Sequence, residues 1–223
     1  MKPWKLVDRA LTPDGKTLSL QEHDGAWYIQ VDGQMLMSTR LHTSEEQLAE
    51  LACAHLKTVR GARVLIGGLG FGFTLRAALS SLGRDASVTV AEILAPVIDW
   101  NRNPALPLAA GAIADPRVTI VNRDVGELIR VARHRYDSII LDVDNGPAAM
   151  SAAVNQRLYD ARGLEQLRSA LRPAGVVAFW SAAPDDHFAA LMSRAGFQVE
   201  VRIARARVNS GARHTIFLGR ATV

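Results

Sequence analysis

The sequence predicts an α/β fold, a doubly wound and mostly parallel sheet behind a small N-terminal β meander. Three observations predict it. Asp-Gly pairs separate short apolar runs in the first forty residues. From residue 62 onward, continuous Val/Ile/Leu runs alternate with helical segments, the pattern of parallel strands covered on both faces. The last two strand-like runs follow each other with no helix between them, which places an antiparallel hairpin at the end of the sheet.

The elements follow in order. Thr17–Gln21 and Ala26–Val31 read as strands joined across Asp24-Gly25, and Asp32-Gly33 leads into Gln34–Met37, since Asp-Gly between apolar runs favours a two-residue hairpin turn. A helix starts at Ser44. Ser44 and Gln47 have capping-box spacing, and Leu48, Leu51, Ala52, His55 and Leu56 mark one face. Strands are expected at 62–67, 87–92, 117–122, 136–142 and 175–181. Helices are expected near 73–82, 94–101, 125–133, 157–171 and 185–195, and the closing strands are 197–204 and 213–219. This divides the chain into a β-rich leader, 1–43, and an α/β domain, 44–223.

Composition narrows the function. At 223 residues, 48% hydrophobic and 22% charged, the chain has the profile of a soluble globular protein that folds without disulfides or metal. The single cysteine, Cys53, excludes an intramolecular disulfide and a Cys-rich zinc site and suits a reducing, cytoplasmic setting. No apolar run spans a bilayer and no apolar signal core follows Met1, so neither a membrane nor secretion is expected. Net charge is only +4. Arg194, Arg202, Arg205, Arg207, Arg213 and Arg220 gather near the end against Glu200, which reads as the solvated face of edge strands rather than a nucleic-acid surface. The six histidines are scattered without ligand spacing, so no metal is expected, and no nucleophile-elbow or Cys–His motif supports a hydrolase.

In an open α/β sheet, ligands bind at the carboxyl ends of the strands. Four features fall there. Gly68, Gly70 and Gly72 in Gly67-Gly68-Leu69-Gly70-Phe71-Gly72 follow the first parallel strand and open a helix. The dinucleotide fingerprint needs a glycine at 73, where the chain has Phe73, so a redox enzyme using NAD is disfavoured. Glu92 ends the next strand twenty residues on, where a carboxylate can accept both hydroxyls of a ribose. Asp124 ends the third and suits either an adenine amino group or the N-cap of the following helix. Asp142 and Asp144 close the fourth. Their spacing does not make an acid–base dyad, and the deeper Asp142 is the better partner for an amine. The segment running on to Gln156 has little regular pattern and reads as a lid over the site, or as a simple turn.

These residues resemble the spermidine synthase family of polyamine aminopropyltransferases. The resemblance runs through the β leader, Thr43-Ser44-Glu45-Glu46, the Gly67–Gly72 loop, Val90-Ala91-Glu92-Ile93, Asp115-Pro116-Arg117-Val118, residues 136–142 and Leu171-Arg172-Pro173-Ala174-Gly175. It implies a class I methyltransferase-like Rossmann fold with a seven-stranded sheet whose last strand is antiparallel. It also implies decarboxylated S-adenosylmethionine as donor, methylthioadenosine as product, a small-molecule amine as acceptor, and a homodimer. Glu92, with Ile93 beside it, takes the ribose position; Asp124, with Val125, takes the adenine position; Asp142 takes that of the carboxylate orienting the amine. Asp144, a candidate catalytic residue beside Asp142, is with Asp185 and Asp186 also a candidate for a distal ammonium.

The departures lie on the amine side. Gly70 stands where the family loop has an aspartate, Ser44–Glu50 lacks the family's Tyr and His, Asp144 is out of register with its second aspartate, and Trp180 replaces a glutamine. Methyl transfer from S-adenosylmethionine, with Trp180 in an apolar acceptor pocket, is therefore the competing expectation. A non-catalytic nucleoside-binding homologue is the third.

Overall fold

The computed structural model describes residues 3–143, 156–207 and 210–222. Eleven strands and eight helices are found among them. The leader forms β1 (Lys5–Leu11), β2 (Thr17–His23), β3 (Ala26–Val31) and β4 (Gln34–Ser38), followed by α1 (Thr43–Cys53) and a 3₁₀ turn at Ala54–Leu56. Next come β5 (Arg63–Gly67), α2 (Phe73–Ser81), β6 (Ser87–Glu92), α3 (Ala95–Arg102), α4 (Ala110–Ile113), β7 (Val118–Asn122), α5 (Val125–Val131) and β8 (Tyr136–Leu141). The chain ends with α6 (Gln156–Tyr159), α7 (Ala161–Ala170), β9 (Leu171–Ser181), α8 (Asp186–Arg194), β10 (Phe197–Arg207) and β11 (Ser210–Ala221).

The leader strands pair antiparallel in sequence order. At both Asp-Gly turns the two residues have positive φ: 48° and 73° at Asp24 and Gly25, 48° and 79° at Asp32 and Gly33. That conformation matches the twist of the flanking strands, and Asp-Gly tolerates it at little cost. Leu18, Leu20 and Ile29 bury one face of this sheet in the same cluster as Leu48 of α1 and Leu75 of α2. The Trp100 indole of α3 donates to Asp8 at 2.6 Å and ties β1 down as well.

The second sheet has the order β10-β11-β9-β8-β5-β6-β7, parallel except for β11, which runs antiparallel to both neighbours. Val64, Leu65 and Ile66 of β5 are completely buried, because one core cluster lies on each side of the sheet. Leu48, Leu75 and Val97 belong to one cluster; Val125, Ile129, Leu164 and Phe188 to the other. This is the expected doubly wound, seven-stranded architecture. Register brings the strand ends level: Gly67 pairs with Ala91 and Leu141, Leu141 with Phe179, and Glu92 with Asn122. The residues that follow therefore emerge on one rim.

Three local expectations are corrected. The Ser44/Gln47 capping box does not form: the helix begins one residue earlier, with His42 as N-cap and no side-chain cap, while the Ser44 hydroxyl donates to Glu45. His55 lies in the 3₁₀ turn rather than on the α1 face. The helix expected over 157–171 is two helices, divided where Asp160 accepts from Gly163 N at 2.7 Å and caps α7.

Candidate active site

The order of strands reverses at β5, whose neighbours β6 and β8 lead away in opposite directions. A crevice opens at such a point. Here it is a cleft of about 330 Å³, floored by the loop after β5 and walled by the ends of β6, β7, β8 and β9, by β4, and by the start of α1.

The loop is shaped by its glycines. Gly68 has φ +90°, and a Cβ there would overlap the Asp142 carbonyl, so only glycine lets the β5 and β8 ends approach so closely. At Gly70, φ is +49° and a Cβ would lie 2.8 Å from Met37 Sδ. The thioether of β4 thus crowds the position where the resemblance calls for an acidic side chain. Gly72 is the N-cap residue of α2 and is not among the residues lining the cleft. Asn101, 1% exposed, holds the loop: its amide donates to Gly70 O and Val97 O, each at 2.8 Å, and its carbonyl accepts from Ala109 N at 3.1 Å.

Glu92 is the most buried acid of the cleft, 7% exposed. Its two oxygens accept separately, one from Leu69 N at 2.9 Å and one from Leu94 N at 2.8 Å. Burial pushes its pKa up, and these backbone donors pull against that. The Gly70 and Ile93 backbone N–H groups also face the carboxylate and favour its charged form. Ile93 and Val125 line the cleft beside it. Asp124 also lines the cleft and at the same time caps α5 by accepting from Gly126 N at 2.6 Å.

Asp142 emerges beside the loop, half-buried, and accepts from the Thr74 hydroxyl at 2.5 Å. Burial, and to a lesser degree the Glu92 charge, push its carboxyl up to about 6 against the Thr74 hydrogen bond. Trp180 forms part of the wall, with its ring 4.5 Å from that of His214 on β11. Asp185 is taken up as the N-cap of α8, accepting from Phe188 N at 2.9 Å, and is not among the cleft-lining residues. Asp144 and the lid expected between it and Gln156 lie outside the described residues.

Glu45, Thr74, Asn101, Arg123 and His214 also enter the site or support it, although spacing alone singles out none of them. Glu45 matters most: it lines the cleft from α1, and burial together with the Asp142 charge pushes its carboxyl up to about 7. Among the described residues no group of three or more His, Cys, Asp or Glu is placed to hold a metal, and no helix is long and apolar enough to cross a membrane. Cys53 is buried, with its thiol pushed up to about 12, and is no nucleophile.

The spermine/spermidine synthase domain model matches residues 41–190, more than half of the chain. The chain belongs to that family. Among curated proteins it is 34% identical over 125 residues to polyamine aminopropyltransferase 1 of Streptomyces coelicolor, a stretch covering 55% of this chain and 23% of that protein. It is 36% identical over 118 residues to putrescine N-methyltransferase 2 of Nicotiana attenuata, covering 52% and 29%. The matched stretches are thus under a third of those relatives' lengths. A crystal structure of spermidine synthase in complex with the transition-state analogue AdoDATO superposes with a TM-score of 0.79 at 20% identity, covering 97% of this chain and 73% of that one. The spermidine synthase of Thermotoga maritima gives 0.75 at 18%, covering 97% and 72%. At that identity the likeness concerns the fold, and it agrees with the class I methyltransferase-like sheet.

Proposed function

We propose that the protein transfers an aminopropyl group from decarboxylated S-adenosylmethionine to a small-molecule amine, leaving methylthioadenosine. The observation that carries this reading is the shared rim: a ribose-type carboxylate, Glu92, and an amine-type carboxylate, Asp142, line the same cleft on either side of the glycine loop. In this reading Glu92 accepts from the two ribose hydroxyls. Asp124 accepts from the adenine amino group, with Ile93 and Val125 against the base.

The sulfonium is already a good leaving group, so the protein's contribution is in-line positioning and a neutral nucleophile. An alkylammonium with a pKa near 10.4 is neutral in fewer than about one molecule in a thousand at pH 7, a handicap of about 4–5 kcal/mol. Asp142 holds the amine group in the attacking position, and the nitrogen must lose one proton before it can react. The amine nitrogen then attacks the propyl carbon, the C–S bond breaks, and sulfur keeps the electron pair.

Methyl transfer is the second reading, favoured by the similarity to a putrescine N-methyltransferase and by Gly70, crowded by Met37, which puts no acid at that position of the loop. Titrating the purified protein with decarboxylated S-adenosylmethionine, intact S-adenosylmethionine and methylthioadenosine separates them. Preference for the decarboxylated donor supports aminopropyl transfer, and preference for the intact one supports methyl transfer. No binding by any of the three refutes both.

A further inference from the structure

Glu45 has no part in the mechanism above, yet it lines the cleft from α1, close enough to Asp142 for the two charges to interact. The Ser44 hydroxyl donates to its Oε2 at 2.8 Å. Ser44 is completely buried, and its oxygen lies 3.0 Å from His214 Nδ1. With the Nδ1–H tautomer, three groups from α1 and β11 form one directed chain of donors: His214 Nδ1–H to Ser44 Oγ, and Ser44 O–H to Glu45 Oε2. Trp180 packs on the imidazole and fixes its ring plane. The carboxyl group is thereby oriented from behind by the Ser44 hydroxyl.

We propose that Glu45 is the base that accepts the proton of the attacking amine, and that Ser44 and His214 are the positioning residues that hold it to that task. The proposal rests on the transfer reading given above. One N–H proton of the bound ammonium passes to the Glu45 carboxylate, which becomes the neutral acid. The freed nitrogen lone pair forms the new N–C bond as the C–S bond breaks. The product leaves as a secondary ammonium with a neutral thioether, and Glu45 returns its proton to solvent. Overall, one ammonium and one sulfonium yield one ammonium, one thioether and one proton.

Two acids in one cleft divide the work when their environments separate them. Asp142, with one oxygen engaged by Thr74, stays ionised and keeps the cation in place. Glu45, with the higher pKa of about 7, lies closer to the working pH, where a general base is most effective. The titratable groups around it are Asp142 just after β8, Glu46 on its own helix and His214 on β11, with Arg76 of α2 next to Glu46.

The test uses the Glu45→Gln and Ser44→Ala variants of the full chain, with calorimetry of methylthioadenosine binding as the control. Glu45→Gln is expected to lower kcat at pH 7 by about 10²-fold or more with nucleoside affinity unchanged. It should recover part of the loss toward pH 10, where the amine loses its own proton. Ser44→Ala removes a donor to the carboxylate, so the acid limb of kcat/KM moves to higher pH. Carbon-13 carboxyl titration of the wild type gives a readout without turnover: Glu45 should titrate near 7, and lower in Asp142→Asn. A Glu45→Gln variant with wild-type kcat and pH profile overturns the proposal alone, as does a Glu45 that titrates at an ordinary glutamate value. Failure of the wild type to bind methylthioadenosine overturns the transfer reading, and this proposal with it.

Discussion

Replacing Glu45 with glutamine should stabilise the protein at pH 8 and leave it unchanged at pH 4. Burial and the Asp142 charge move the native carboxyl from the ordinary 4.5 to about 7. The unfolded chain therefore gives up this proton near 4.5, while the folded chain holds it to about 7. The stability is complete below 4.5 and is lost as pH rises through 7. At about 1.4 kcal/mol per pH unit, the ceiling is about 3 kcal/mol. Partial access of solvent to Glu45 brings the expected effect to about 2 kcal/mol. Glutamine keeps an acceptor for the Ser44 hydroxyl and carries no charge, so the variant escapes this loss. For a chain of this length the gain at pH 8 amounts to roughly 4–8 °C in Tm. Thermal unfolding followed by circular dichroism from pH 4 to 8 measures it. The wild-type curve should fall through this range relative to the variant, whose residual slope includes the raised carboxyls of Asp142 and Glu92. Parallel curves for the two proteins would refute the reasoning, because Glu45 would then ionise as freely in the folded chain as in the unfolded one.

Three further outcomes are expected. Asp142→Asn should lower kcat by about 10²–10⁴-fold while methylthioadenosine binds as before, compared by steady-state kinetics and calorimetry; an active variant would remove Asp142 from the chemistry. Gly68→Ala, which forces a Cβ onto the Asp142 carbonyl at a positive φ, should cost about 2–4 kcal/mol, visible as a Tm drop of roughly 5–15 °C, together with lost nucleoside binding. Asn101→Ala strands two buried acceptors and one donor, so urea unfolding should show a loss of about 2–4 kcal/mol and the nucleoside should bind more weakly as the loop slackens.

Much of the fold was legible because its signals are local and periodic. β3 and β6 have the expected boundaries, since each is an apolar run closed by turn residues or a strand-end acid. β1 escaped because Lys5–Leu11 buries almost nothing; backbone pairing with β2 makes it a strand, and hydropathy does not register backbone pairing. β9 begins at Leu171, earlier than its Val run, because Leu171 pairs with Tyr136 across an irregularity in register. Helix α4, only four residues long, has no period to read.

The rim acids were legible for a different reason: in this topology the residues at or just past a strand's end line the crevice, so Glu92, Asp124 and Asp142 follow from strand ends alone. Glu45, Asn101 and His214 reach the site from α1, α3 and β11 across 30 to 170 residues of sequence. Only the packed fold brings them together. Asp185 shows the converse, because a carboxylate just before a helix is as readily consumed by its own N-cap.

The proposed transfer requires a sulfur-bearing adenine nucleoside in the cleft above the glycine loop. Crystals grown with methylthioadenosine measure this directly. The ribose hydroxyls should lie on the two oxygens of Glu92, the adenine amino group on Asp124, and the sulfur should point toward Asp142. A nucleoside bound elsewhere on the chain, or a cleft closed by Met37 and Trp180 with the compound in excess, would contradict it.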